Sequence, residues 1–349
     1  MQPAIAVADA YRVLRPAARI TFLGTALGFE GDLVPAAGYT VELIPGAPLF
    51  GSGVRGKLRA VTSTVAGMVA ARRIFERQQT QALLSFGGYA SGGPVLAARR
   101  MGIPIAIHEP NVVPGLSNRL LARLADEVLA AWPATAAAFG GRSVHVTGVP
   151  IRAALAAPRA PRVLPAERVR RLVVLGGSLG STFLNRRVPA VARELASRGW
   201  PLEIHHQCGA GSDDLVRRIY AEHGVEARVT PFVADVVALY DWADVAITSA
   251  GAITLAEIAA AGLPAVLIPL AVASEDHQAA NARAFSELTG CPWITEHDWS
   301  VAAVADLMTG LLGDARRHAL IATRLDAIAN RQAAQVIAQH CDALIQRSR

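Results

Sequence analysis

The chain has 349 residues, of which 52% are apolar, and its formal net charge is +6. This length favours two domains, each able to bury a sizeable core, and the apolar content excludes a disordered protein. The apolar runs stay below the ~20 residues of a membrane span. The start, Met1-Gln2-Pro3-Ala4, lacks the basic and apolar segments of a signal peptide, so a cytoplasmic protein is expected.

Nearly all of the positive charge is arginine, and Lys57 is the one lysine in the sequence. A basic balance favours nucleic acid, an anionic membrane surface or phosphorylated substrates as partners. The cysteines Cys208, Cys291 and Cys341 are far apart and form no CxxC pair. They therefore indicate neither a zinc site nor a disulfide framework, and a reducing compartment is expected.

Short apolar runs alternate with longer helical patterns along the chain. The candidate strands of the first half are Ile20–Leu23, Thr40–Ile44, Ala82–Phe86, Ile105–His108, Glu127–Ala131 and His145–Thr147. Those of the second half are Arg171–Leu175, Glu203–Gln207, Ala227–Thr230, Val245–Thr248 and Ala265–Ile268. The helical patterns are Gln2–Leu14, Val61–Gln78, Gly93–Met101, Gly115–Ala125, Leu184–Arg198, Ser212–His223, Thr254–Ala261 and Gln278–Leu288. This alternation predicts parallel sheets and an α/β fold.

The stretch Pro150–Glu167 is rich in Ala, Pro and Arg and has no clear period, so it predicts a linker. We expect an N-terminal domain over residues 1–150, a C-terminal domain over 151–330, and a helix over 331–349 that packs back towards the N-terminal domain. Two similar α/β domains joined in this way bind ligand in the cleft between them.

The two halves resemble each other weakly. In the second half the strand Arg171–Leu175 leads into the loop Gly176–Gly180 and then into a helix, whereas the first half opens directly with a helix, Pro3–Leu14, followed by a strand. The comparison predicts that a strand and a glycine loop precede Met1, and such a first strand is normally central in a doubly wound sheet.

Gly176-Gly177-Ser178-Leu179-Gly180 follows a buried strand and opens a helix. Glycines let the backbone approach a phosphate closely, and the helix N-terminus supplies free N–H groups. A tight turn without a ligand is the alternative.

The segment Thr248–Glu257 carries a stronger pattern, because a strand ends, a loop of small residues follows, and a helix begins near Thr254. First-turn N–H groups there suit a diphosphate, and the Glu257 carboxylate suits the two ribose hydroxyls. The alternative is a capping box, in which Thr254 caps the helix and Glu257 satisfies its dipole.

Further polar segments follow other predicted strands, at the sheet edge where ligands bind in such folds. In Ser274–Asn281, Gln278 and Asn281 lie one helical turn apart and can face one sugar, although a solvated helix start is the alternative. In the first half, Gly87–Pro94 and His108–Asn111 occupy such positions. An ordinary histidine at a strand end is the alternative for His108.

These motifs occur in a specific order over nearly the whole chain, with Gly115-Leu116-Ser117-Asn118, Gly148-Val149-Pro150-Ile151-Arg152, Gly251–Ile258 and Asp276-His277-Gln278-Ala279-Ala280-Asn281 among them. As a set they resemble the MurG family of nucleotide-sugar glycosyltransferases. The resemblance implies a GT-B fold and inverting transfer of N-acetylglucosamine (GlcNAc) from UDP-GlcNAc to the muramyl 4-hydroxyl of lipid I, giving lipid II for peptidoglycan. It implies no metal, no cofactor and no nucleic acid.

The resemblance also implies roles for individual residues. Arg152 and Ser178 would lie by the diphosphate and nucleotide, and Val233 would bind uracil through its backbone. Gln278 would contact the GlcNAc hydroxyls beside Asn281, and Asn111 would reach towards the transferred sugar. The phosphate and ribose cradle would consist of Ala252, Ile253, Thr254, Leu255, Ala256 and Glu257.

The sequence departs from the family pattern in several places. The family begins with a strand and a Gly-Gly-Thr-Gly-Gly-His loop, whereas this sequence begins at the helix that follows them, so we expect an N-terminal truncation. His108 or Glu109 is then the candidate catalytic base in place of the loop histidine. Other departures are Ser249 for arginine, Pro110 and Leu179 for glutamine, and Val149 for asparagine. The alternatives are a MurG-like paralogue, a weakly active nucleotide-sugar-binding protein with a different acceptor, and a non-catalytic ligand-binding protein.

The segment Leu49–Arg59 combines apolar and basic residues, and Arg72 and Arg73 lie further along. This pattern predicts peripheral binding to the anionic cytoplasmic face of the cell membrane, where a lipid-linked acceptor would lie. A solvated loop and helix is the alternative.

Overall fold

The computed structural model describes residues 1–26, 30–46, 54–160, 162–164, 169–177, 179–271 and 276–348, without the side chains of 54–59. The strands are β1 (Thr21–Gly24), β2 (Thr40–Leu43), β3 (Leu83–Ser85), β4 (Ile105–Glu109), β5 (Glu127–Ala130), β6 (Val144–Val146), β7 (Arg170–Leu175), β8 (Leu202–Gln207), β9 (Arg228–Thr230), β10 (Val245–Ser249) and β11 (Ala265–Ile268).

The α-helices are α1 (Gln2–Leu14), α2 (Glu30–Ala36), α3 (Val54–Gln78), α4 (Gly92–Met101), α5 (Leu116–Leu121), α6 (Ala153–Ala156), α7 (Thr182–Ser197), α8 (Asp213–Glu222), α9 (Val236–Trp242), α10 (Ala252–Ala261), α11 (His277–Thr289), α12 (Val301–Leu312), α13 (Ala315–Ile328) and α14 (Ala333–Arg347). Short 3-10 helices cover Ala122–Leu124 and Pro133–Phe139. In the described part of the chain, no helix is both long and apolar enough to span a bilayer.

The chain forms two compact units. The first comprises Met1–Arg152 with Gln332–Arg349, and the second comprises Ala153–Arg331. Every pairing between the described strands is parallel, which confirms the predicted α/β class.

The second unit contains a parallel sheet in the order β11-β10-β7-β8-β9. The chain passes from β7 to β8 and β9 on one side and then to β10 and β11 on the other, so the topological switch point lies between β7 and β10. Val173 and Val174 of β7 are fully buried, as expected for a continuous apolar strand. Thr248 is in register with Leu175, so the loops after β10 and β7 leave the sheet at the same level.

Part of the predicted linker Pro150–Glu167 is packed structure rather than extended chain. It contains α6, in which Leu155 is fully buried. Arg162 donates hydrogen bonds to the carbonyl oxygens of Tyr240, Ala243 and Ala261. A guanidinium has several donors and can join the ends of two helices in this way. The Ala, Pro and Arg residues of this segment have no helical period, so the sequence did not indicate that the segment is packed.

The first unit contains, within the described residues, the pair β1-β2 and the sheet β3-β4-β5-β6. Helix α1 contributes to the core beneath both: Ile5 packs in the cluster that contains Phe22, and Val7 packs in the cluster that contains Ala106 and Leu129. Helix α14 joins the latter cluster through its buried apolar face. Arg15 at the end of α1 also forms two 2.8 Å hydrogen bonds with the Asp342 carboxylate of α14.

Candidate functional site

The loop between β7 and α7 packs tightly against the loop after β8. A Cβ on Gly180 would lie 2.1 Å from the Cys208 carbonyl oxygen, and a Cβ on Gly176 would lie 2.3 Å from the Ser181 nitrogen. Gly177 and Gly180 also have φ angles of 83° and 76°, which glycine adopts without strain. Packing by itself therefore accounts for these glycines.

Helix α10 begins at the switch point without a capping side chain. Its N-cap is Gly251, with φ −66° and ψ 133°, a residue that has no side chain to accept a hydrogen bond from the first turn. Thr254 is the third residue of the helix, so the capping box is not formed. The first-turn N–H groups therefore keep their partial positive charge at the carboxyl end of β10.

The residues of the predicted phosphate and ribose cradle that precede Glu257 on α10 are partly buried and partly half-exposed. Ala252 and Leu255 are buried, so their side chains belong to the core, while Ile253, Thr254 and Ala256 are half-buried. Any ligand contact from the buried pair would use the backbone. The helix is fixed in place because it packs against α6, α9, α11 and α13.

Glu257 lies in the second turn of α10 and is held by a tyrosine. Its side chain is buried, and Tyr240 of α9, also buried, donates a 3.0 Å hydrogen bond from its hydroxyl to Glu257 Oε2. A charge-assisted bond of this kind fixes the carboxylate in one orientation. Sequence reasoning found Glu257 and missed Tyr240, since the two residues are joined only by the packing of α9 on α10.

Gln278 and Asn281 of α11 both bind the backbone just after β10. Gln278 Oε1 accepts 3.0 Å hydrogen bonds from the N–H groups of Ala250 and Leu270. Asn281 donates a 3.2 Å hydrogen bond to the Ala250 carbonyl and is fully buried. Asn281 is therefore placed to hold the loop, whereas the half-buried Gln278 retains amide hydrogens for a ligand.

Two of the other predicted nucleotide contacts lie in different surroundings. Val233 lines a groove of about 1120 Å³ together with Thr230, Phe232 and Trp242. Arg152 is half-buried and is the last residue of the first segment of the first unit. Ser178 falls outside the described residues, as do 272–275, which include part of the predicted polar cluster before α11.

In the first unit, Glu109 organises the loop that follows β4. Its Oε1 accepts hydrogen bonds of 2.9 Å from both the backbone N–H and the side-chain amide of Asn111. Its Oε2 accepts hydrogen bonds from Gly115 N–H, at 3.1 Å, and from the Asn118 amide, at 2.8 Å. A carboxylate can accept about four hydrogen bonds, and these four contacts occupy all of those positions. They fix Asn111 at the sheet edge.

His108 is fully buried in β4. Its Nε2 lies 2.9 Å from the Gly148 carbonyl oxygen, which makes Nε2 the protonated nitrogen. Burial lowers the pKa of His108 to about 4, although the Gly148 hydrogen bond acts in the opposite direction. The imidazole is therefore neutral at pH 7 and ties β4 to the segment after β6.

The predicted glycine motif after β3 joins the same loop cluster. Gly87 and Gly88 have φ angles of 81° and 84°, and a Cβ on Gly87 would lie 2.6 Å from the Asn118 side-chain oxygen. Ser117 donates a 3.1 Å hydrogen bond to the Gly88 carbonyl. The hydroxyl of Tyr89 lies 3.2 Å from Thr25 Oγ1, which follows β1. The loops after β1, β3 and β4 thus meet at one edge, as their positions after parallel strands predict.

Comparison with known proteins agrees with these features. Residues 1–130 match the model of the glycosyltransferase family 28 N-terminal domain, and residues 171–339 match that of the family 28 C-terminal domain. A Sorangium cellulosum protein named UDP-N-acetylglucosamine–N-acetylmuramyl-(pentapeptide) pyrophosphoryl-undecaprenol N-acetylglucosamine transferase is 41% identical over 341 residues, which cover 96% of this chain and 83% of that protein.

A protein of the same name from Aeromonas hydrophila is 37% identical over 344 residues, covering 98% of this chain and 93% of its own. The crystal structure of MurG from Acinetobacter baumannii is similar with a TM-score of 0.74 and 29% identity, over 98% of this chain and 95% of that one. These similarities confirm the predicted GT-B fold class. The chain therefore belongs to the MurG family of the family 28 glycosyltransferases.

Proposed function

We propose that this chain transfers GlcNAc from UDP-GlcNAc to the muramyl 4-hydroxyl of lipid I, with inversion at the anomeric carbon, and so forms lipid II. Family membership at about 40% identity over nearly the whole chain supports the reaction. The single structural observation that carries the donor assignment is the start of α10 at the switch point, with Glu257 held one turn further along by Tyr240.

The diphosphate is proposed to bind the first-turn N–H groups of Ala252, Ile253 and Thr254, where the helix dipole favours negative charge. Glu257 then accepts hydrogen bonds from the ribose hydroxyls. Gln278 contacts the GlcNAc hydroxyls through its amide, Val233 binds uracil through its backbone, and Arg152 and Ser178 lie by the diphosphate and nucleotide. Asn281 supports this set by holding the Ala250 carbonyl.

As the glycosidic bond breaks, the leaving UDP gains negative charge on the diphosphate. The first-turn N–H groups of α10 are already oriented towards that charge and need no rearrangement, which is the usual form of electrostatic stabilisation in enzymes. This group of donors lowers the barrier without any proton transfer to the leaving group.

On the acceptor side we assign Asn111 the contact with the transferred sugar. Glu109, whose oxygens hold Asn111, Gly115 and Asn118, is a positioning residue for that loop. His108 is fully buried and its Nε2 donates a hydrogen bond to the Gly148 carbonyl, which favours a positioning role over that of general base. These contacts therefore favour a positioning role for both candidate bases: Glu109 holds the loop after β4, and His108 holds the segment after β6.

Binding to an anionic membrane at its cytoplasmic face is part of the proposal. Val61, Val65 and Val69 on α3 are 55%, 52% and 43% exposed, and their spacing of four residues places them in one row on the helix. The exposed Arg72 and Arg73 follow this row. Residues 49–53 of the predicted membrane segment lie outside the described residues, and of 54–59 only the helical backbone is described. An apolar row next to arginines is typical of helices that lie on anionic lipid.

The direct test is transfer of radiolabelled GlcNAc from UDP-GlcNAc to a lipid I analogue. We expect a lipid II product with wild-type protein, and a large loss of product with Glu257→Ala under limiting donor. Binding of UDP-GlcNAc without any transfer to the lipid I analogue would instead support the alternative of a paralogue with a different acceptor. Absence of donor binding would contradict both.

A further inference from the structure

Three side chains with metal-binding atoms meet in the first unit, away from the loops that carry Glu109 and Asn111. Glu127 begins β5, His145 lies in β6 and His340 lies on α14. Each can offer one ligand atom, and the three atoms lie within 4.8 Å of one another. Because the strands are parallel, the start of β5 is at the sheet edge opposite the carboxyl end of β4.

The contacts within the cluster leave one carboxylate oxygen directed at the imidazoles. His340 Nδ1 lies 2.8 Å from Glu127 Oε2, while Arg347 donates to the other oxygen, Oε1. The ring centroids of His145 and His340 lie 4.7 Å apart, and the ring planes are tilted by 46°. The Glu127 side chain is 8% exposed and that of His340 is 25% exposed, whereas His145 is exposed.

We propose that Glu127, His145 and His340 form a binding site for a divalent transition-metal ion, zinc in the first place. Two imidazoles and one carboxylate are a common zinc ligand set, and imidazole nitrogens disfavour Mg²⁺ and Ca²⁺. Zinc bonds of about 2.0–2.2 Å place tetrahedral ligands about 3.4 Å apart. The exposed ring of His145 can make this approach by rotation of its side chain.

The surroundings of the cluster fit a bound ion. A cavity of about 360 Å³, lined by Glu127, His145 and Arg347 among others, gives water access to the fourth coordination position. Arg347 on Oε1 corresponds to the outer hydrogen bond that normally orients a ligating carboxylate. The ion would link β5 and β6 to α14. Glu127 and His340, two of its ligands, are 213 positions apart in the chain. Its role is therefore structural, and it is independent of the proposed transfer reaction.

The test is zinc titration of the full, untagged chain by calorimetry, with thermal unfolding as a second measurement. We expect about one zinc ion per chain, and a rise in melting temperature of roughly 5 °C or more when zinc is near 100 times its Kd. His145→Ala, which changes an exposed residue, and Glu127→Gln, which keeps the side-chain volume, should each raise the Kd tenfold or more.

The matched control is His297→Ala, which removes an exposed histidine of the second unit and should leave the zinc affinity unchanged. Excess Mg²⁺ should produce no shift in melting temperature. The proposal is overturned by an absence of zinc binding to the wild-type chain, by an equal Kd in the wild type and His145→Ala, or by a shift with Mg²⁺ as large as that with zinc.

Discussion

At the scale of single residues, the buried pair of Glu257 and Tyr240 shows how a residue found from the sequence pattern is oriented for binding by a second residue. Glu257 occupies a position on α10 that the sequence pattern predicts, one turn beyond the strand and loop that precede the helix. Tyr240 on α9 fixes its carboxylate with a 3.0 Å hydrogen bond. The pair therefore presents a preoriented acceptor for ribose in the proposed donor site. Because the carboxylate is already ordered, less conformational entropy is lost when the ligand binds.

Glu257→Ala is expected to weaken UDP-GlcNAc binding by about 1.5–3 kcal/mol, because a hydrogen bond to a charged group is lost. This corresponds to an increase in Kd of roughly 10- to 160-fold by calorimetry. Glu222→Ala, which changes an exposed carboxylate on α8, is the control and should bind like the wild type. Equal affinities for the two variants would show that Glu257 does not contact the donor.

Tyr240→Phe removes one hydroxyl and keeps the ring that packs in the core. We expect a smaller loss of donor affinity, about 0.5–1.5 kcal/mol, since the carboxylate remains but is no longer held in one orientation. In a double-mutant cycle with Glu257→Ala the two losses should not add, because Tyr240 acts through Glu257. Additive losses would mean that Tyr240 affects donor binding by another route.

At the scale of secondary-structure elements, two features depend on where a helix lies against its sheet: the position at which α10 begins, and the exposure of the row of valines on α3. Helix α10 begins at the switch point because β10 lies beside β7 and their carboxyl ends are in register. The periodic pattern of α3 predicts a helix, and the structure adds that Val61, Val65 and Val69 form an exposed apolar row. The first feature supports the donor proposal and the second supports the membrane proposal.

Replacing Val65 and Val69 together by serine should reduce sedimentation with phosphatidylglycerol vesicles about tenfold, because apolar area that would enter the lipid interface is lost. The fold should be little affected, since both side chains are about half exposed in the free protein. Val13→Ser is the control, because Val13 is 83% exposed but lies on α1. Unchanged vesicle binding of the double variant would remove α3 from the proposed membrane surface.

For the molecule as a whole, buried neutral histidines predict how stability depends on pH. Burial lowers the pKa of His108 to about 4, and burial, together with the charge of His205, lowers that of His206 to about 3. Both values lie below that of an unfolded histidine, about 6.5. The unfolded chain therefore binds more protons on acidification, and the stability present above pH 6.5 is lost as the pH falls towards 4.

Between pH 6 and pH 5 each of these histidines should lower the free energy of unfolding by about 1 kcal/mol. His206→Gln should lose less stability over this interval than the wild type in urea titrations, whatever its stability at pH 7. His297→Gln, at an exposed position, should keep the wild-type dependence on pH. A wild-type slope in His206→Gln would show that the histidine is not held neutral in the folded state.

The sequence by itself determined the α/β class, most strand positions and the order of the motifs. Alternating apolar runs and helical periods follow from local burial, and carboxyl ends of parallel strands collect loops at one edge. Glu257, Gln278 and Asn111 were therefore found as polar residues next to strand or helix ends. The packed helix α6 was missed, because a four-residue helix leaves no periodic signal in the sequence.

Only the tertiary structure decided which of these side chains face solvent and which hold one another. It buried His108 and Asn281 completely, used the oxygens of Glu109 for the loop that carries Asn111, and placed Tyr240 beside Glu257. It also brought His340 to Glu127 and His145, which no spacing along the chain indicates. The physical reason is that these contacts join residues distant in sequence, and the packing of helices on sheets, rather than any local pattern, sets their distances.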